Sequence, residues 1–110
     1  MSIKFYNSYS RKKESFKPIV DGKVGLYTCG PTVYDFAHIG NFRTFIFEDL
    51  LKRWLIHIGY DVTHIMNITD VDDKTITMAK KQEIDLNIIT EKYTKQFMND
   101  LRWLKILPAD

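Results

Sequence analysis

The sequence contains few of the residues that would place it in a specialised class of protein. Its 110 residues include one cysteine, Cys29, five glycines and three prolines. A single cysteine excludes a disulfide within the chain and is typical of a reducing compartment. No run approaches the roughly 20 apolar residues of a membrane-spanning helix, and no apolar run follows Met1, so we expect no signal peptide. These features predict a soluble cytosolic protein that is not associated with a membrane.

The charge balance is nearly neutral, with 16 basic and 14 acidic residues and a formal net charge of +2 at pH 7. This excess is too small to indicate nucleic-acid binding by itself, although a local basic patch could still meet a large RNA. Hydrophobic residues make up 45% of the chain and charged residues 27%, which is typical of a globular protein. The length permits at most one domain, small for an enzyme that holds several substrates.

Strands are predicted over residues 3–6, 23–29 and 60–69, where β-branched and aromatic residues concentrate. The polar stretch 8–17, including Arg11-Lys12-Lys13, is expected to be a solvated loop. A helix is predicted over residues 41–58, ended by Gly59, because its apolar residues are spaced by three and four. Asp72 or Asp73 is expected to cap a short helix that ends near Gln82. A last helix is predicted over residues 88–104, before Pro108. The apolar faces expected to form the core are Phe42, Phe45, Ile46, Leu50, Trp54, Leu55 and Ile58 on the first helix, and Ile89, Tyr93, Phe97, Leu101 and Leu104 on the last.

A strand, a helix of about five turns and a second strand make a βαβ unit. Such units are almost always right-handed, with parallel strands, and they bind ligands at the carboxyl ends of those strands. Here that end carries Cys29 and His38. The sequence therefore predicts an α/β fold whose functional residues lie in the loop between the first of these strands and the helix.

That loop and the start of the helix read Cys-Gly-Pro-Thr-Val-Tyr-Asp-Phe-Ala-His-Ile-Gly-Asn over residues 29–41. A helix start offers unpaired N–H groups and a partial positive charge, which suit a phosphate. Gly40 lets a ligand approach the backbone, and His38 and Asn41 can donate hydrogen bonds to phosphate oxygens. The tetrapeptide His-Ile-Gly-Asn alone is a weak signal. Taken alone, it favours an ordinary helix start capped by the Asn41 side chain, and a lone cysteine such as Cys29 is usually a packing residue.

The whole loop resembles the signature loop of the cysteinyl-tRNA synthetase family. Matches continue in the same order on both sides, and they cover nearly the whole chain. They include Phe5-Tyr6-Asn7-Ser8, Arg43-Thr44-Phe45, Gly59-Tyr60 and Asn67-Ile68-Thr69-Asp70-Val71-Asp72-Asp73-Lys74. The resemblance implies that residues 1–110 are the N-terminal part of a class I synthetase catalytic domain, the first half of a Rossmann-type fold with C-terminal helices. It also implies an enzyme that activates L-cysteine with ATP and transfers it to tRNA(Cys), together with the remainder of a longer chain.

The resemblance also assigns roles to residues of this sequence. His38 and Asn41 are implied to be catalytic, because they belong to the signature that holds the ATP phosphates. Asn41 stands where many class I members have a second histidine, so we assign it less electrostatic catalysis. Cys29 is implied to be a zinc ligand, and Mg²⁺ is expected to accompany ATP. ATP is implied to contact Thr32, His38, Ile39, Gly40 and Asn41, and cysteine to contact Gly30 and Thr69.

The other zinc ligands and a lysine-rich ATP-binding loop belong to later parts of the family's much longer chain. We therefore expect the 110 residues alone to be inactive and to hold no tightly bound zinc. Two alternatives remain open. One is a mycothiol-pathway ligase, which shares the cysteine-adenylating chemistry, although the segment Arg-x-Lys-Glu-x-Phe-x-Pro over residues 11–18 favours the synthetase. The other is a fragment that binds a ligand or a partner without catalysis.

Two other patterns suggest metal sites and are disfavoured by their spacing. His38, His57, His64 and Cys29 lack the close-paired ligands of a local zinc site. The segment Asp70-x-Asp72-Asp73 resembles the start of a calcium loop, but threonine and lysine occupy the positions that require glycine and glutamate. A helix cap is the favoured interpretation of these aspartates.

Overall fold

The computed structural model describes residues 2–110. Its strands form a two-stranded antiparallel sheet and a separate two-stranded parallel sheet, and three helices accompany them. In chain order the elements are β1 (Lys4–Asn7), β2 (Lys12–Ser15), β3 (Lys23–Thr28), α1 (Ile39–His57), β4 (Asp61–Met66), α2 (Asp73–Gln82) and α3 (Leu86–Trp103). The predicted α/β fold with a βαβ unit is confirmed.

Strands β3 and β4 pair in parallel from Lys23 opposite Asp61 to Thr28 opposite Met66. Both carboxyl ends therefore lie at the same edge of the sheet. The two chains stay together beyond that edge, because Thr32 and Thr69 form an isolated parallel bridge. The Val33 N–H donates to the Thr69 carbonyl at 3.1 Å. This bridge fixes the loop that follows β3 against the segment that follows β4.

The prediction of a loop over residues 8–17 was wrong in its second half. Lys12–Ser15 forms β2, which pairs antiparallel with β1 in a hairpin. The four residues of β2 are all polar and exposed, so they carry no alternation of apolar and polar side chains by which a strand could be recognised. Pairing with β1 makes the strand, and the rings of Phe5 and Phe16 meet edge to face at 5.4 Å beside it.

The apolar face predicted for α1 is buried only in part. Phe42 and Phe45 pack with Phe97, Leu101 and Ile106 in a core cluster between α1 and the end of the chain. In contrast, Ile46, Leu50 and Trp54 are 43%, 64% and 39% exposed. The buried side of α1 is the side that meets β4 and α3, and these three side chains stay partly uncovered within residues 2–110.

Helices α2 and α3 pack on each other around a second cluster, formed by Val33, Ala79, Ile89 and Tyr93. Asp72 caps α2, and the helix ends at Gln82, as predicted. Helix α3 begins two residues earlier than predicted, because the Asp85 side chain accepts from the N–H of Asn87 and caps it. This arrangement holds the start of α2 next to the carboxyl end of β4.

The segment after α3 folds back onto α1 and β4. Lys52 is buried, and its Nζ donates to the Pro108 carbonyl at 2.8 Å. The N–H of His64 donates to the Asp110 carboxylate, and the Asp110 N–H donates to the His64 carbonyl, both at 2.7 Å. These bonds satisfy polar groups that would be costly to bury alone. Among residues 2–110, no helix is both long enough and apolar enough to cross a membrane.

Candidate active site at the carboxyl ends of the parallel strands

A cavity of about 320 Å³ opens at the carboxyl end of the β3–β4 sheet. The loop between β3 and α1 forms most of its wall, from Cys29 to Ala37. Helices α1, α2 and α3 complete the wall with Asn41, Thr44, Phe45, Lys74, Tyr93 and Phe97. The cavity thus lies where the βαβ unit predicted a functional site.

His38 and Asn41 form a reciprocal cap at the start of α1. The His38 Nδ1 accepts from the Gly40 N–H at 3.0 Å, and the Asn41 Oδ1 accepts from the His38 N–H at 3.1 Å. The helix begins at Ile39, two residues before the predicted start. The N-cap residue is therefore His38. The Asn41 side chain also caps the helix start, as the alternative predicted, but it does so from the third helical position. Each side chain uses one polar atom for the cap and leaves another available.

Gly40 is required by the position of the histidine ring. A Cβ atom at this residue would lie 2.7 Å from the Cε1 of His38 and 3.0 Å from its Nδ1. The first distance is shorter than real Cβ contacts, so a larger residue would force the ring to shift from this position. The glycine of the signature therefore fixes the direction of His38 as well as leaving space beside the backbone.

Gly30 marks the closest approach between the exits of β3 and β4. Its N–H donates to the Asn67 Oδ1 at 2.8 Å, and a Cβ atom would lie 1.8 Å from the Asn67 carbonyl oxygen. The Asn67 Nδ2 in turn lies 3.5 Å from the Thr69 hydroxyl. The structure therefore links Gly30 and Thr69 through one asparagine, at the edge where the resemblance places the amino acid.

The residues predicted for the site are only partly brought into the cavity. Its wall contains Cys29, Gly30, Thr32 and Asn41. His38, Ile39, Gly40 and Thr69 lie outside that wall, on the exposed start of α1 and on the segment paired with Thr32. The loop thus presents two adjoining areas, the cavity and the open helix start.

Cys29 carries a free, exposed thiol at the cavity. Within the described part of the chain, no three histidine, cysteine, aspartate or glutamate side chains lie close enough together to hold a metal ion. His57 ends α1, and His64 lies in β4. A thiolate is a good zinc ligand, but a structural zinc site needs about four ligands and this part of the molecule supplies one.

The buried position of His64 near the cavity was not predicted from the sequence. His64 is 3% exposed, and its Nε2 lies 2.9 Å from the hydroxyl of Thr28, the residue before Cys29. Burial lowers the pKa of His64, and the charge of Lys52 lowers it further, against the opposing charges of Asp110 and Asp49. The signal in the sequence was a histidine within a strand predicted to be buried.

Glu48, on α1, also lies near the Thr28 hydroxyl. Burial raises the pKa of its carboxyl group, and the nearby Thr28 hydroxyl opposes that shift. Its Oε2 is buried and has no hydrogen-bond partner among the residues described. Thr28 therefore lies between two titratable side chains whose pKa values are shifted in opposite directions.

Lys74 was also missed as a residue of the site. It is the second residue of α2, and its Nζ lies 5.3 Å from the ring centroid of Tyr34, which also lines the cavity. Cation–π contact at this distance is favourable. The sequence offered a signal, because a residue just after the cap of α2 must lie near the carboxyl end of β4.

Comparison with known proteins agrees with this geometry. Residues 15–110 match the profile of the family described as tRNA synthetases class I (C) catalytic domain. Over 106 residues the chain is 60% identical to the cysteine–tRNA ligase of Chlamydia pneumoniae, covering 96% of this chain and 22% of that protein. It is 58% identical over 110 residues to that of Chlamydia trachomatis serovar D, and 56% identical over 107 residues to that of Brachyspira hyodysenteriae. These alignments cover 100% and 97% of this chain.

The chain spans 23% of the length of the Chlamydia trachomatis and Brachyspira relatives. The family profile covers nearly all of this chain and includes both parallel strands, all three helices and the cavity between them. The chain belongs to the family of class I tRNA synthetase (C) catalytic domains.

Proposed function

We propose that this chain is the N-terminal part of the catalytic domain of a cysteine–tRNA ligase. The complete enzyme would activate L-cysteine with ATP, release pyrophosphate and transfer the cysteinyl group to tRNA(Cys). The observation that carries this proposal is that Cys29 and Asn41, a residue of the first turn of α1, line the same cavity. The similarity to proteins named cysteine–tRNA ligase supports this proposal and favours it over a mycothiol-pathway ligase. A free cysteine supports a reducing cytosol.

The start of α1 would bind the ATP phosphates. Because the Nδ1 of His38 accepts a hydrogen bond, the proton of the neutral ring resides on Nε2, which can donate to a phosphate oxygen. Because the Oδ1 of Asn41 accepts from the backbone, its Nδ2 is left to donate. The cap therefore orients two donors and adds the partial positive charge of the helix terminus. Thr32, Ile39 and Gly40 would contribute the surrounding contacts.

Cys29 would be one protein ligand of a zinc ion, with the other ligands supplied by parts of the protein outside this chain. The exposed thiol at the cavity fits that role as a single donor. Zinc, when bound, would hold the thiolate of the substrate cysteine and so select it over serine. Gly30 and Thr69, which are joined through Asn67, would contact the substrate cysteine. Mg²⁺ would accompany ATP.

The test is cysteine-dependent exchange of pyrophosphate into ATP by the full-length protein. The unaltered protein is expected to catalyse exchange with cysteine and not with serine. Its Cys29→Ser variant is expected to lose zinc and cysteine activation together, because a hydroxyl is a poor zinc ligand. Thr77→Ala, at an exposed position of α2 outside the cavity, is the control and should retain both.

Absence of exchange in the unaltered full-length protein would contradict the proposed function. Unchanged zinc content in Cys29→Ser would instead show that Cys29 is not a zinc ligand and would leave the overall activity standing.

A further inference from the structure

Lys74 is held in place by the cap of α2. Its N–H donates to the Asp72 Oδ1 at 3.1 Å, and the Asp72 N–H donates to the Thr75 hydroxyl at 2.9 Å. Thr75 is fully buried, so this reciprocal cap is anchored in the protein interior. The backbone from which the Lys74 side chain extends is therefore fixed at the edge of the cavity.

The Lys74 ammonium has no acidic partner within residues 2–110. The ion pair between side chains in this part of the molecule joins Arg53 and Asp49, and it lies elsewhere. The Nζ instead lies over the Tyr34 ring, which attracts a cation without neutralising it. Lys74 is the one basic residue among those that line the cavity, and Asp35 is the one acidic residue. The Asp35 Oδ1 is already occupied by the Phe36 N–H at 2.8 Å.

We propose that Lys74 binds an anionic oxygen of the reactants, either the carboxylate of the amino acid or a phosphate of ATP. The inference rests on the proposed function, in which both reactants meet at this cavity. During activation a carboxylate oxygen forms a bond to the α-phosphorus, and the bond from that phosphorus to the bridging oxygen of pyrophosphate breaks. The attacking carboxylate and the phosphate are both negative, so a fixed cation beside them reduces their repulsion.

Lys92 shows why position at the cavity matters. Its Nζ also lies over aromatic rings, 5.9 Å from the centroid of Phe36 and 5.1 Å from that of Tyr93, but Lys92 is not part of the cavity wall. Lys74 combines the aromatic contact, the absence of an acidic partner in the described chain and a place in the wall. This combination is the reason for proposing Lys74, and not Lys92, as the residue that binds the anionic oxygen.

The experiment compares Lys74→Met, Lys74→Arg and Lys80→Met in the full-length enzyme. Methionine keeps most of the length and apolar surface and removes the charge, whereas arginine keeps the charge. Lys80 is exposed on the same helix, is absent from the cavity wall and serves as the matched control. Initial rates of pyrophosphate exchange are measured at varied cysteine and at varied ATP, tRNA charging at varied tRNA, and thermal unfolding for every variant.

Lys74→Met is expected to lower kcat/KM for exchange by about tenfold to a hundredfold, the range of one hydrogen bond to a charged group. Lys74→Arg should recover most of the loss, and Lys80→Met should change the rate by less than about twofold. A rise in KM confined to cysteine identifies the carboxylate, and a rise confined to ATP identifies a phosphate. Melting temperatures should stay equal, because the Lys74 side chain is exposed.

A fall in kcat with both KM values unchanged is also expected if the cation acts mainly on the repulsion between the reacting groups. Every other result overturns the proposal. These results include unchanged exchange, a loss that accompanies a lowered melting temperature, an equal loss in Lys80→Met, and a defect confined to tRNA charging, which would assign Lys74 to a tRNA phosphate. Exchange by the unaltered enzyme is measured first, so failure of the proposed function would be recognised separately from failure of this inference.

Discussion

At the scale of single residues, His38 and Asn41 cap α1 in a way that is compatible with the binding role proposed for both side chains. Each uses one polar atom to cap α1, His38 through Nδ1 and Asn41 through Oδ1. The remaining polar atoms are then left in a defined orientation. A helix cap and a phosphate site, which compete as interpretations of the sequence, are therefore compatible in the folded chain.

The capping role of Asn41 and its proposed binding role can be separated by Asn41→Asp in the full-length protein. Aspartate keeps an oxygen that can accept from the His38 N–H, and a negative charge is favourable near a helix N-terminus. It loses the donor and repels phosphate, so we expect normal thermal unfolding with exchange lowered by about tenfold or more. A variant that unfolds early but exchanges normally would show that Asn41 only caps the helix.

His64 predicts a dependence of stability on pH. Its pKa is lowered in the folded chain, by burial first and by Lys52 second, so protonation favours the unfolded state. Its contribution to stability is present above the unfolded value of about 6.5 and is lost as pH falls from there towards the folded pKa. Urea unfolding of the full-length protein should show a lower midpoint at pH 5 than at pH 7.5.

The control for this effect is His64→Gln, which can still bond the Thr28 hydroxyl but does not titrate. The difference between the two midpoints should shrink in this variant. If the pH dependence of the variant equals that of the unaltered protein, then His64 is not its source and other groups must be sought.

At the scale of elements, the site depends on how closely the exits of β3 and β4 approach each other. Gly30 makes that approach possible, because a Cβ atom there would overlap the Asn67 backbone. The parallel pairing then continues past the strands through Thr32 and Thr69. A larger side chain at residue 30 would push apart the two segments that carry residue 30 and Thr69, the positions that the resemblance implies to contact the amino acid.

Gly30→Ala is therefore expected to destabilise the protein by about 1–3 kcal/mol, the usual cost of overfilling a packed site. The matched control is Gly25→Ala in β3, where an added Cβ meets no atom within 4 Å. That control should be neutral or slightly stabilising, because glycine weakens a strand interior. Urea unfolding of the full-length protein measures both variants, and equal midpoints would refute the close-packing argument.

At the scale of the whole molecule, the described chain is extended and leaves much apolar surface uncovered. Its radius of gyration is 16.8 Å, whereas a compact domain of this length has about 13 Å. Ile46, Phe47, Leu50 and Trp54 of α1 are all exposed. The parallel sheet has two strands within residues 2–110, fewer than a stable sheet usually needs.

The 110-residue chain made alone is therefore expected to be marginally folded or to self-associate. Burying one large apolar side chain is worth about 1.5–3 kcal/mol, against a total stability of about 5–15 kcal/mol for an ordinary domain. Size measurement by light scattering, combined with urea unfolding, tests this. A cooperative monomer of ordinary stability would show that the 110 residues form an autonomous domain.

The sequence by itself determined the βαβ unit, its parallel strands, the edge of the sheet at which the cavity lies and the family. Hydrophobic spacing, capping aspartates and a contiguous signature loop are local, so they can be read along the chain. The helix boundaries were accurate to two residues for the same reason. The N-cap at Asp72 is a local signal, and so is Gly59, which has a positive φ and directly follows the C-cap Ile58.

The tertiary structure alone decided which side of α1 is buried, that the polar segment Lys12–Ser15 forms a strand, and that His64 and Lys74 flank the site. Each of these depends on contacts between residues distant along the chain. Strand pairing, burial and the meeting of a lysine with an aromatic ring are set by which surfaces come together. That information lies in packing, which no local pattern of residues contains.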